Sequence, residues 1–396
     1  MNGYEVIEDG DLVVVDNRIR ALGPRGKVAV PTGARVIDVT GKTIMPGLID
    51  VHAHLWPIWD AHRKVSWEYA TSLAYGVTSL RDPQSKRSDA LIYADRIDVG
   101  DMLGARVFSV GRGVFAQVGL RSLADTRQVL RRYSEHYRTH TIKQYLVGGR
   151  LERQWFAMAA QEQRLTPTTE GGKDFKMNLT LILDGYSGLE HWIDTTPLYR
   201  DVTELMARSG IAYTLTTNVE LDYFYRRYAI HDDAKLRRFM PHTFIDRLPY
   251  RARSLGVDDP YLFERHAADA AKIVAAGGRV ALGSHGNFPG WGVHWELWAT
   301  QSGGISPHEG LRVGTLASAE AIGLGRQLGS LESGKLADLL VLDSNPLLDI
   351  RATLSIRYVM KNGRLYEGAT LDEIWPRSRE FGRQSWMLKS RSATIH

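Results

Sequence analysis

The sequence predicts an α/β chain: a (β/α)8, TIM-like barrel carrying a small β-sandwich formed from both chain ends. Three observations predict it. Short apolar runs alternate with helix-period segments through the middle of the chain, both ends are rich in strand and turn signals instead, and polar residues of the middle fall where its strand runs stop. With 396 residues, 43% of them hydrophobic, the chain is long enough to bury a large core.

The elements follow in order. Residues 1–45 alternate strand-like runs (Leu12 to Val15, Arg18 to Leu22, Ala34 to Val39) with turns at Asp16-Asn17, Gly23-Pro24 and Pro31-Thr32-Gly33. The far end, 331–396, repeats this alternation, with apolar runs at Ala337 to Leu342 and Ile356 to Lys361 and a strong hairpin signal at Asn362-Gly363. The two ends are expected to share one composite sandwich. Between them, over 46–330, the barrel strands are expected near Ile44 to Val51, Val77 to Arg81, Arg106 to Val110, Thr141 to Leu146, Pro167 to Glu170, Gly188 to His191, Ile211 to Thr216 and Val280 to Gly283. Residues 219–262 are too long and aromatic for an ordinary connection and read as an insertion that forms a lid or pocket wall.

Composition narrows the chemistry. No cysteine is present, so disulfides, thiolate catalysis and thiolate-held zinc are excluded, and a metal would need His, carboxylate or modified Lys ligands. The 50 basic and 45 acidic residues leave +5, but the charges are interspersed without a basic run, which argues against nucleic-acid binding. No stretch reaches the roughly 18 apolar residues of a membrane helix, and the acidic start is not a signal peptide, so the chain as given reads as cytoplasmic.

Barrel sites form at the carboxyl ends of strands, and here most strands end on a possible ligand. Strand one runs PGLIDVHAH, and the i, i+2 spacing puts His52 and His54 on one face, where both imidazoles can reach one divalent ion. Strand four carries Lys143 in TIKQYL, where an inward ammonium needs a partner or neutralisation. It is either a salt-bridged lysine or one carbamylated by carbon dioxide, able to bridge two metals. Strand five ends TTEGG at Glu170, a ligand or a helix-capping acid. Strand six ends GLEHW at His191, a ligand or a core histidine, and strand eight ends LGSHG at His285. Arg81 and Asp82 follow strand two as substrate or supporting contacts, or as a surface pair. Tyr223 and Tyr225 in the insertion, Trp291 after strand eight and His294 on the following helix are candidate substrate contacts. His231, Asp232 and Asp233 form either a further metal cluster or a solvated loop.

Together PGLIDVHAH, the strand-four Lys, the strand-six EH, GSHG and the closing GSLESGKLADLLVLDSNP resemble the amidohydrolase superfamily in its imidazolonepropionase-like branch, over essentially the whole chain. More narrowly, ILDGYSGLEH, KLRRFMPH and GSHGNFPGWGVHWELW resemble the amidohydrolase portion of fusions to an N-terminal TolB-like β-propeller. The resemblance implies two divalent ions, of zinc type, with His52 and His54 on one and carbamylated Lys143 bridging to a second held by Glu170 and His191. Glu170 stands where relatives usually have His, and His285 where they usually have an Asp that binds metal and serves as base. His285 would then ligate and shuttle the proton, a role its near-neutral ordinary pKa permits.

The implied activity is hydrolysis of an amide or peptide-like C–N bond in a small molecule or peptide. A lactonase or ester hydrolase with the same site and a catalytically silent scaffold are the alternatives. One ion with unmodified Lys143 would keep hydrolysis and change its mechanism. The resemblance also implies a further strand before the segment that starts at Met1, so the chain is expected to be a fragment of a longer fusion, with a propeller and export signal elsewhere, or to lack that edge strand. Homo-oligomers are compatible with either case.

Overall fold

The computed structural model describes residues 4–55, 63–145, 148–172, 174–217, 230–246 and 262–387, the side chain of Asp232 excepted. Strand β1 (Gly10–Val15) pairs antiparallel with β2 (Arg18–Pro24) through a turn at Asp16-Asn17, where Asp16 takes φ 54°. A five-stranded sheet then draws on both ends of the chain. Its order is β15 (Glu373–Trp375), β14 (Arg364–Glu367), β13 (Ile356–Lys361), β12 (Leu339–Leu342) and β3 (Thr43–Pro46), all neighbours antiparallel. The hairpin between β13 and β14 turns on Asn362 and Gly363 at φ 53° and 73°, the left-handed pair that a two-residue turn demands. Ile19 of β2 packs with Leu339, Val341, Met360 and Leu365 of the five-stranded sheet.

Two expectations fail in this region. Ala34 to Val39 forms no strand. The Asp38 carboxylate accepts from Thr40 N at 2.9 Å, giving the backbone a local partner that competes with a ladder, although Ile37 and Val39 still pack on the terminal cluster. The run from Ile44 to Val51 is not one strand but two: β3 joins the terminal sheet, and β4 (Leu48–Asp50) starts the parallel system. Gly47 separates them where only hydrogen fits, since a Cβ there would lie 2.2 Å from Thr78 Oγ1.

The parallel strands are β4, β5 (Val77–Asp82) and β6 (Arg106–Ser109) in one sheet, and β7 (Thr141–Gln144), β8 (Thr166–Glu170), β9 (Gly188–Glu190), β10 (Ala212–Thr214) and β11 (Arg279–Ala281) in another, each in sequence order. Most stop short of the expected runs, as β9, β10 and β11 do, whereas β5 and β8 each run one residue longer. Isolated parallel bridges join Val114 to Gln144 and Ala53 to His285. Val51 N also donates to Leu282 O at 2.8 Å. Leu146 lies outside the described residues.

The helices between strands bury one face. Arg200–Ser209 hides Val202, Thr203 and Met206, leaves Arg200, Glu204 and Arg208 paired outside, and stops at Gly210 in the left-handed region. Fully buried Leu48, Leu73, Ile142, Phe156 and Leu282 share the main core, each worth roughly 1.5–3 kcal/mol of transfer free energy. Of the expected insertion, 219–229 and 247–261 lie outside the described residues, Tyr223 and Tyr225 among them. Its described part includes the helix Ala234–Phe239, which seats Leu236 and Phe239 in the core. Asp233 caps that helix, accepting from Leu236 N at 2.9 Å, so the His231–Asp233 segment is helix-start chemistry. Among the described residues no helix is long and apolar enough to cross a membrane.

Candidate metal centre

The parallel strands deliver charged side chains to one end. Asp50 closes β4, and its buried carboxylate accepts from His52 N at 3.1 Å, Ser284 N at 3.0 Å and Ser284 Oγ at 2.5 Å. Burial raises its pKa to about 6 against those hydrogen bonds. This clasp ties the PGLID segment to the GSHG segment and sets His52 and His285 side by side, their rings 5.1 Å apart.

Four imidazoles converge there. His52 lies 4.9 Å from the rings of both His54 and His191, and His54 lies 4.9 Å from His285. Ligand atoms of His52, His191 and His285 all fall within 4.8 Å of one another, and the Nε2 atoms of His52 and His54 are 3.1 Å apart. Each ring has a protein acceptor beside its other nitrogen. His52 Nδ1 is 3.1 Å from Glu190 Oε2, His54 Nδ1 is 3.0 Å from Gln84 O, His191 Nδ1 is 2.6 Å from Thr216 Oγ1, and His285 Nδ1 is 3.4 Å from Asn287 Oδ1. An acceptor at Nδ1 favours the tautomer whose Nε2 lone pair is available to an ion.

Burial, reinforced by the Lys143 cation, drives His54 and His191 down to about 3 and His52 well below the usual imidazole range. All are held neutral, the form a metal requires. The backbone is strained at the same place: Thr216, His191 and His285 have φ 57°, 71° and 61°, conformations that cost a β-carbon residue about 1–3 kcal/mol each.

Beneath the histidines lies an ionic network. Lys143, on β7 and fully buried, places Nζ 2.8 Å from Glu190 Oε2 and 3.4 Å from Glu170 Oε2, with the Tyr145 ring 4.5 Å below. Glu170 ends β8 turned inward, its other oxygen 3.9 Å from His191 Nε2. Arg81 of β5 gives Nη1 to Glu190 Oε1 at 2.6 Å and Nη2 to Thr168 Oγ1 at 2.7 Å. Burial opposes ionisation of Glu190, but Lys143, Arg81 and His52 overcome it and hold its carboxyl well below the ordinary range. Two buried cations and one buried carboxylate, with Glu170 at the rim, compensate one another.

The structure therefore brings His52, His54, Lys143, Glu170, His191 and His285 into one centre. Of the expected substrate contacts, the described Arg81, Trp291 and His294 are not brought there. Arg81 is buried and committed to Glu190, Thr168 and Val51 O, an ionic strut below the centre. His294 uses both ring nitrogens on structure, Nδ1 with Thr353 Oγ1 and Nε2 with Tyr75 O, each at 2.9 Å. Trp291 is stacked in the core between Tyr75 and Trp295. Both lie on the helix Trp291–Ser302, whose packing against the Tyr75 segment turns them away from the centre. Asp82 is no surface acid either: it is buried, accepts from Ser109 Oγ, and is raised to about 7 by burial.

One residue escaped sequence reasoning. Glu190 is the hub of the network, and its signal was available: an acid in a strand whose opposite-signed inward partners, Lys143 and Arg81, were already visible. Glu296, beside His294 in the GVHWELW segment, has a supporting part. From that same helix its carboxylate accepts from Thr217 N and Oγ1 at 2.9 and 2.8 Å, steadying the turn that presents Thr216 to His191.

Comparison with known proteins agrees with this geometry. Residues 190–366 match the amidohydrolase family. The chain is 28% identical over 412 aligned positions, 92% of either chain, to an imidazolonepropionase of Symbiobacterium thermophilum. Among solved structures, it superposes on a Xaa-Pro dipeptidase with bound methionine in its active site (TM-score 0.68, 20% identity, covering 90% of this chain and 95% of that one). It also superposes on molinate hydrolase (TM-score 0.73, 18% identity, covering 100% and 96%). At those identities the structural likeness speaks for the fold.

Proposed function

We infer, from the premise that this chain is an amidohydrolase, an enzyme that hydrolyses amide C–N bonds, that its centre works with two divalent ions of zinc type on a small-molecule or peptide-like amide. The observation that carries the reading is the convergence of four imidazoles, each with Nδ1 beside a protein acceptor and ring neighbours 4.9–5.4 Å away. The donor set fits such ions: His52, His54 and His191 supply nitrogen, and Glu170 and carbamylated Lys143 supply oxygen, while His285 keeps its Nε2 lone pair for the proton. Ions held there would polarise the scissile carbonyl and bring a water's pKa toward neutrality. The relatives' names, imidazolonepropionase and Xaa-Pro dipeptidase, support a compact amide as substrate.

The chain's own residues do the rest. Glu190 fixes the tautomer of His52 and, with Gln84 O and Thr216, holds three rings rigid, so the site is preorganised. Carbamylation would take one proton from the Lys143 ammonium, join the resulting neutral amine to carbon dioxide and release a second proton, turning a cation into a carboxylate. Lys143 then no longer compensates Glu190, and Arg81 remains as its fixed cation. His285, whose Nδ1 contact is the longest of the four, carries the proton at Nε2 from the attacking water to the leaving amine. The isolated bridges at Ala53–His285 and Val114–Gln144 support a closed eight-stranded barrel around this network, with the β1–β2 ribbon and the terminal sheet as the two layers of the sandwich.

Metal counting on purified protein tests the reading. About two zinc-like ions per chain, falling to one or none in Lys143→Ala, are expected, together with turnover on a panel of acyl-amino acids and dipeptides. Less than about half an ion per chain after metal-supplemented expression overturns it. Turnover of lactones or aryl esters alone moves the assignment to ester hydrolysis.

A further inference from the structure

Beside the metal centre lies a second concavity, a recess of about 370 Å³ formed where the loops after β5 and β6 meet the end of the following helix. Four cationic side chains line it: Lys86 and Arg87 from the first loop, Arg112 from the second, and Arg132 from the helix. No carboxylate is among its lining residues. In a chain with almost as many acids as bases, four cations facing one recess with no lining acid is a segregated arrangement. Among the described residues neither Arg112 nor Arg132 is ion-paired.

The recess is also built. Tyr133 Oη donates to Arg112 O at 2.6 Å, and Ser85 N donates to Gly111 O at 2.7 Å, so helix and both loops are fastened together around it. Tyr133 and Tyr137, rings 5.5 Å apart edge to face, give it a firm aromatic wall. Its Phe115 stacks on Tyr145 at 4.3 Å, and Gly113 lets that ring approach, since a Cβ there would lie 2.7 Å from Tyr145 Cε2. Tyr145 is the ring next to Lys143, so the stacked Phe115–Tyr145 pair stands between this recess and the metal centre.

We propose that this recess binds a compact oxyanion-rich small molecule, a phosphate-bearing or polycarboxylate ligand, at a site separate from the metal centre. Guanidinium groups suit such a ligand because each offers planar, paired donors to two oxygens, and charge-assisted bonds are the stronger class. Polar rings favour a compact body over a flexible apolar tail. The volume falls in the range of small-molecule pockets and exceeds what a lone halide would fill. Because the cations are exposed, ionic strength screens the attraction over about 8 Å at physiological salt, so affinity falls as salt rises.

Calorimetric titration with pyrophosphate and, separately, citrate tests the proposal on metal-loaded protein and on chelator-stripped protein. At least one anion is expected to bind at submillimolar concentration with the same affinity in both states, and to bind about tenfold or more weakly to Arg112→Glu/Arg132→Glu. Binding to pyrophosphate alone identifies a phosphate-bearing ligand, and binding to citrate alone a polycarboxylate. Arg200→Glu, an exposed charge reversal on a distant helix, is expected to leave affinity unchanged. An unshifted melting temperature and metal content confirm that the double variant is folded. No binding of either anion, equal binding by the double variant, or binding that disappears with the metal overturns the proposal.

Discussion

Replacing Glu190 by Gln keeps the side-chain volume and removes one charge that three donors share. Its oxygens lie 2.6 Å from Arg81 Nη1, 2.8 Å from Lys143 Nζ and 3.1 Å from His52 Nδ1, all buried. At an effective dielectric near 20, one unit pair at 2.8 Å is worth about 6 kcal/mol before desolvation. Releasing the carboxylate from its own desolvation offsets part of that. What remains is the cost of leaving Lys143 and Arg81 buried against too little negative charge, about 3–5 kcal/mol. Urea unfolding of metal-stripped protein, followed by tryptophan fluorescence at neutral pH, measures it for the wild type, Glu190→Gln, Lys143→Met and the double variant. Glu190→Gln is expected to lose about 3–5 kcal/mol, and adding Lys143→Met to restore at least about 2 by putting apolar volume where the orphaned ammonium stood. A Glu190→Gln variant within about 0.5 kcal/mol of wild type, or strictly additive losses, would refute the reasoning.

Other expectations follow from neighbouring geometry. His294→Phe leaves Tyr75 O without its partner and Thr353 Oγ1 with Trp298 Nε1 alone, and is expected to cost about 2 kcal/mol in the same unfolding assay while metal content and KM stay put; a raised KM with stability intact would return His294 to the substrate. Glu68 is buried, and burial raises its pKa from 4.5 to about 7, so the folded chain holds a proton that the unfolded chain has released between those values. Its contribution to stability therefore falls by about 3 kcal/mol as pH rises through that window, and Glu68→Gln is expected to flatten the slope of unfolding free energy against pH; an unchanged slope would place the titration elsewhere.

The strand positions were legible because buried parallel strands carry apolar runs, and the HxH pair because alternate strand residues share a face. Boundaries were less so. Nothing in the run from Ile44 to Val51 announces that Thr43–Pro46 pairs with a segment nearly 300 residues on, because pairing across the chain is written in packing at Gly47 and Thr78 rather than in local periodicity. Trp291 and His294 misled for a related reason: an aromatic, histidine-bearing helix next to a site motif looks the same in sequence whether its polar atoms face a ligand or, as here, Tyr75 O and Thr353. The inward Lys143 was recognisable as costly, yet its partner Glu190 sits in an ordinary-looking GLE triplet and is singled out by the meeting of three different strands.

The clasp between Asp50 and Ser284 spans 234 positions of chain. At roughly 5–20 residues per second of synthesis, the acid is made roughly 10–50 s before the serine that receives it. Throughout that interval His52 and His54 exist as a bare pair, without His191 for most of it and without His285 for all of it. Until His191 is made, a nascent chain can offer a passing ion only the two nitrogens of His52 and His54 from this set, and three at most before Ser284, so premature capture is shallow and reversible. Under the proposed reading the site would be complete only once β11 and the GSHG turn after it are made, with strands β12 to β15 still to come.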